Sequence, residues 1–109
     1  TAPLMKWMFG KYVSDPAQRG NDLMSPVRAS AERLRGLPAT LIVVAENDIL
    51  RDEGEAMGRR LDEAGVEVTT VRFNGVVHDW GMLNGFAALH PTRTLIRLGG
   101  SVLRDYLEK

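Results

Sequence analysis

The chain has 109 residues, enough to bury one hydrophobic core and too few for two. Fourteen Lys and Arg balance fourteen Asp and Glu, so no summed field favours an anionic membrane surface, and no nucleic-acid partner is expected. There is no cysteine, which rules out disulfides, zinc-thiolate sites and a thiol nucleophile at once.

No apolar run approaches the roughly 20 residues of a membrane helix, and Thr1-Ala2-Pro3-Leu4 lacks the basic-then-apolar layout of a signal peptide. The expectation is a soluble, cytoplasmic protein. The first residue is not methionine, as in a piece of a longer polypeptide or after ordinary N-terminal processing.

From Leu4 to Val13 the apolar residues Leu4, Met5, Trp7, Met8, Phe9, Tyr12 and Val13 crowd most faces of a helix, which asks for cover on several sides. Ser14 to Ala29 contains Asp15-Pro16, Gly20-Asn21 and Ser25-Pro26, all turn formers, and reads as irregular. A helical turn around Ala31 to Arg35 ends at Gly36, with Pro38 just beyond. The continuous run Thr40-Leu41-Ile42-Val43-Val44-Ala45 has the composition of a strand buried on both faces of a parallel sheet.

Between Arg51 and Ala64 the apolar Met57, Leu61 and Ala64 fall at i, i+4, i+7. Glu55 and Arg59 are spaced as an i,i+4 pair and Gly65 marks the stop, so an amphipathic helix is predicted. Val66 to Phe73 alternates valine and threonine with charged residues and predicts a second strand. Strand, helix and strand form a βαβ unit whose crossover is expected to be right-handed. A loop then runs from Asn74 to about Asn84, and Phe86 to Leu89 reads as a helical turn. Thr92 is the expected N-cap of a last helix, where Leu95, Leu98, Val102 and Tyr106 line one face. Gly99-Gly100 inside that helix costs about 1 kcal/mol per glycine relative to alanine, so packing has to hold it. There are no repeats and no low-complexity tract.

In open α/β sheets the chemistry collects at the carboxyl ends of the strands. Two loops qualify: Ala45 to Gly54 after the first strand, and Asn74 to Gly81 after the second. If the strands are neighbours, Asp48 and His78 meet above the sheet. An aspartate that accepts the Nδ1 proton of a histidine fixes its tautomer and leaves Nε2 to act as a general base. Asp48, Asp52, Glu53, His78 and Asp79 show no H-x-x-x-H or similar ligand spacing, so no metal is assigned. Arg51, Asp52 and Glu53 suit the first turn of a helix and are left out of the chemistry, and Gly54 permits close packing. His90, before Pro91, is expected to face solvent.

These residues resemble a known family. Gly36-Leu37-Pro38, the first strand, Asp48-Ile49-Leu50-Arg51-Asp52-Glu53-Gly54, the helix with Leu61 and Ala64-Gly65-Val66, and Gly75-x-x-His78 are similar to the last part of the hormone-sensitive-lipase group of α/β-hydrolases. Trp7, Tyr12 and Ser25-Pro26 match that pattern too, and the resemblance covers nearly the whole chain. It implies an α/β fold in which residues 1–35 derive from the cap and residues 36–109 from the C-terminal part of the core. It also implies a carboxylic ester hydrolase acting on a small acyl ester without a cofactor, with Asp48 as triad acid and His78 as triad base. Trp7, Met8 and Phe9 then line an acyl pocket or belong to the core, and Trp80 shapes the site or covers the sheet. One departure is Asp79, where glycine is the commoner residue of the group.

The group's nucleophile lies in G-x-S-x-G and its oxyanion hole in an HGGG-type loop. Neither occurs here, and none of Ser14, Ser25, Ser30 and Ser101 has the flanking glycines. The expectation is a C-terminal fragment that is inactive alone, its serine lying upstream. A prolyl-oligopeptidase-type peptidase shares the late acid and base, but D-x-L-R-D-E-G favours the esterase group. The rival of another class is a noncatalytic fragment that forms a homo-oligomer through an exposed sheet edge.

Overall fold

The structure is a computed structural model and describes residues 2–108. At its centre is the βαβ unit expected from the sequence: β1 (Thr40–Asn47), α3 (Arg51–Glu63) and β2 (Val68–Val77), the strands paired in parallel. Before it come α1 (Ala2–Tyr12), two short 3-10 turns and α2 (Ala31–Leu34); after it comes α4 (His90–Leu107). Among the described residues no helix is long and apolar enough to cross a membrane.

Side chains alternate across a strand, and β1 is apolar at every position from Leu41 to Ala45, so both of its faces find cover. On one face Ile42 packs with Met57 and Leu61 of α3, and with Leu34, Ala64 and Val66. On the other, Val43 and Ala45 pack with Phe73, Val76, Trp80 and Leu95 of α4. Helix α3 comes close to β1 because Gly54 has no side chain: a Cβ there would lie 2.7 Å from Val44 Cγ1. The helix ends at the expected place, with the N–H of Val66 donating to the Leu61 carbonyl at 3.0 Å. Glu55 does not pair with Arg59 as its spacing suggested; it meets Arg72 Nε of β2 at 2.9 Å, a partner that strand pairing brings to it.

Three features differ from the sequence reading. β2 begins later, at Val68, and runs through the expected loop to Val77. Its register pairs Thr40 with Val68 through Ala45 with Phe73, and then Asn47 with Val77, so two steps of β1 answer four of β2. This is a bulge, and Gly75 sits in it with a left-handed φ of 71°. α4 starts at His90, not after Thr92, because Pro91 is already suited to a first helical turn. Thr92 lies inside the helix at 2% exposure, with no hydrogen-bond partner for Oγ1 among the described residues. Finally, α1 buries none of its residues: Leu4, Trp7, Met8 and Tyr12 are exposed, and only Val13 just beyond the helix is buried.

Candidate active site

The chain turns as soon as β1 ends. Asp48 Oδ1 accepts the N–H of Leu50 at 2.9 Å, and the N–H of Arg51 donates to the Asp48 carbonyl at 3.2 Å, which launches α3. The Arg51 guanidinium ties this turn down, with Nη1 donating to the Glu46 carbonyl at 2.7 Å and Nε to Asp52 at 2.8 Å. The Glu46 side chain reaches the other way and accepts the N–H of Gly75 at 2.7 Å. Glu46 therefore joins the turn after β1 to the bulge of β2. The bulge carries the end of β2 over the turn.

His78 is the first residue after β2. Its Nδ1 lies 2.7 Å from Asp48 Oδ2. The Asp48 side chain is 12% exposed and that of His78 is 52% exposed, so the acid is sheltered and the ring edge is open. Burial pushes the Asp48 carboxyl up, but the Leu50 N–H and the His78 ring together outweigh it and hold the group below its ordinary value. For His78 the bond to Asp48 dominates over desolvation, and the charges of Asp48 and Asp79 add to it. The imidazole is raised above its ordinary value.

Two cavities meet at this pair. One, about 480 Å³, runs along β1 and is lined by Val43, Leu50, Trp80, Met82 and Leu95. The other, about 400 Å³, is lined by Leu4, Met5 and Met8 of α1 with Ile49 and Val77. Asp48, His78 and Asp79 border both. Asp79 Oδ2 lies 3.4 Å from His78 Nε2.

The structure thus brings Asp48 and His78 together as expected. It leaves Glu53 outside this contact and uses Arg51 and Asp52 to brace the turn. Met8 lines the cavity beside His78, whereas the exposed Trp7 ring has Lys11 Nζ 5.8 Å from its centroid and Phe9 stands against Tyr12. Trp80 is buried on the sheet, its ring 5.4 Å from that of Phe73. His90 is exposed. Sequence reasoning missed Glu46, because nothing in Glu46-Asn47-Asp48 marks which acid faces a bulge. Among the described residues no three His, Asp or Glu side chains converge as a metal group.

A family model for the alpha/beta hydrolase fold matches residues 1–82. The chain belongs to the α/β-hydrolase family. The arylesterase of Saccharolobus solfataricus is 46% identical over 94 residues, which are 86% of this chain and 28% of that protein. A thermostable esterase from Pseudomonas putida ECU1011 superposes with a TM-score of 0.89 at 46% identity, over 92% of this chain and 31% of that one. Brefeldin A esterase, a bacterial homologue of human hormone-sensitive lipase, gives a TM-score of 0.76 at 33% identity, over 84% of this chain and 26% of that one. These relatives are esterases, and this α/β-hydrolase chain spans less than a third of each. Ser25 and Ser30 make local bonds, to the Arg19 carbonyl and from the Arg33 N–H respectively.

Proposed function

We propose that this α/β-hydrolase chain supplies the acid and the base of a serine carboxylic ester hydrolase that acts on a small acyl ester. The observation that carries the reading is the 2.7 Å contact from Asp48 Oδ2 to His78 Nδ1 at the carboxyl ends of two parallel strands. Asp48 accepts the Nδ1 proton and so leaves the Nε2 lone pair available. His78 takes the proton of a serine hydroxyl as that oxygen attacks the ester carbonyl. It returns the proton to the leaving alcohol as the tetrahedral intermediate collapses. Water then repeats the sequence on the acyl-enzyme, the proton passing from water to His78 and on to the departing serine oxygen. The serine and the oxyanion donors belong to sequence outside these residues, because the chain has neither G-x-S-x-G nor an HGGG-type loop. Its span of less than a third of its relatives supports that division.

The test is hydrolysis of p-nitrophenyl acetate and butyrate by the purified chain, by its His78→Ala variant, and by each of them joined to the serine-bearing remainder of the Pseudomonas putida esterase. Turnover is expected only in the joined protein with His78 present. Turnover by the chain alone that His78→Ala abolishes would overturn the division of labour. A joined protein indifferent to His78→Ala would remove the base.

A further inference from the structure

The open Nε2 side of His78 has a second carboxylate beside it. Asp79 places Oδ2 3.4 Å from Nε2, while Asp48 holds Nδ1 at 2.7 Å from the opposite side of the ring. Asp79 does this from an unusual backbone conformation: its φ is 58°, the only positive φ at a non-glycine residue among the described residues. A left-handed backbone disfavours any side chain with a Cβ, and Asp and Asn tolerate it best. Glycine at this position would relax the backbone and take the carboxylate away.

We propose that Asp79 is a positioning residue that completes a two-carboxylate clamp on His78, holding the ring in line with Asp48 and stabilising it as the imidazolium. The inference rests on the reading of His78 as a general base. The imidazolium is the form His78 takes when it has accepted a nucleophile's proton, so a fixed negative charge on the Nε2 side stabilises the charge that develops in the transition state. At 3.4 Å the contact is longer than the one at Nδ1, and the Asp79 side chain is 55% exposed. A hydroxyl can therefore take the place at Nε2 without displacing a tight, buried bond. The cost falls on pH range, since the same charge keeps the ring protonated to higher pH.

The other surroundings of the ring do not duplicate this effect. The turn after β1 contributes Asp48, already engaged at Nδ1. From α1, the side chains lining the cavity are Leu4, Met5 and Met8, none of them charged. Arg51 borders the other cavity with its guanidinium held by Asp52 and the Glu46 carbonyl.

The test is titration of the His78 ring by 15N-detected NMR in the whole chain, comparing wild type with Asp79→Asn, Asp79→Gly and Asp48→Asn. Asparagine keeps a side chain that tolerates the left-handed backbone and removes only the charge; glycine removes both charge and strain and keeps the variant foldable. The midpoint of His78 is expected to fall in both Asp79 variants. The gap from wild type should shrink at about 1 M salt, where screening acts within about 3 Å. The Asp48→Asn midpoint should fall as well. If Asp48→Asn moves the midpoint and Asp79→Asn does not, Asp79 holds no place in the clamp while the ester-hydrolase reading stands. If neither moves it, the pairing of His78 fails and that reading falls with it.

Discussion

Replacing Asp48 by Asn isolates what the acid does. The Asn Oδ1 can still accept the Leu50 N–H that Asp48 takes at 2.9 Å, so the turn into α3 is kept. On the other side the carboxylate oxygen 2.7 Å from His78 Nδ1 becomes an amide NH2, which is a donor. The ring answers by presenting Nδ1 as an acceptor and carrying its proton on Nε2, the tautomer that cannot take a proton from a hydroxyl. The side chain is only 12% exposed, so water does not readily replace the lost acceptor. In the triad template this exchange lowers turnover by about 10⁴, which is roughly 5.4 kcal/mol of transition-state stabilisation at about 1.36 kcal/mol per factor of ten. Two assays read it. Ring 15N shifts in the chain should report the proton moving from Nδ1 to Nε2, and ester hydrolysis in the joined protein should fall by three to four orders of magnitude, the scale of about 10⁴ just given. A His78 ring that keeps its proton on Nδ1 in Asp48→Asn, or a joined protein that loses less than about tenfold, would refute the assignment of Asp48 as the acid.

Glu46→Ala removes the acceptor that pins the bulge at Gly75; it should cost about 1 kcal/mol in urea unfolding, since the bond is charge-assisted but exposed, and should broaden or shift the His78 ring signals. Leu61→Ala, at a position 2% exposed between α3 and β1, should cost about 2–5 kcal/mol in the same assay. A loss below about 1 kcal/mol would mean that α3 does not rest on the sheet at Leu61. The dyad also gives the fold a pH window. Asp48 is lowered from 3.8, so its contribution is complete above that value and lost as pH falls through its lower folded value. His78 is raised from 6.5, so its contribution is complete below that value and lost as pH rises through its higher folded value. The difference in melting temperature between wild type and an Asp48→Ala/His78→Ala variant should therefore be widest from about pH 4 to 6.5. His78 is half exposed, so about 0.5–1 kcal/mol is the total at stake.

The parts of this fold legible from sequence are those that one local rule decides. The β1 run has no polar residue to place on a solvent face, so it reads as a doubly covered strand, and α3 shows its buried stripe at Met57, Leu61 and Ala64. Asp48 and His78 were legible because both follow strands that the βαβ rule makes parallel, and the resemblance to the lipase group named them independently. The end of β2 was not legible. Asn74-Gly75 reads as a turn by every local preference, yet strand pairing resumes at Val77 because Glu46, twenty-nine residues earlier, takes the Gly75 N–H. The start of α4 was missed for a related reason. Thr92 is a good cap by type, but Pro91 had already set the first turn and carried Thr92 into the interior. α1 looked like a helix needing cover on several sides; Leu4, Trp7, Met8 and Tyr12 are exposed here, and Met8 faces the cavity beside His78.

The placement of acid and base depends on little of the chain. Asp48 and His78 lie thirty residues apart and come together through β1, α3 and β2 alone, because a parallel pair joined by one helix sets its two carboxyl ends side by side. What the βαβ unit cannot set is the last few ångströms. A strand advances about 3.3 Å per residue and alternates faces, so without the two extra residues of the bulge the end of β2 would be displaced along β1 by more than the whole 2.7 Å contact. The bulge is therefore the element that brings two adjacent strand ends into hydrogen-bond contact, and Glu46, which fastens it, bears on the Asp48–His78 pair although it touches neither residue by hydrogen bond.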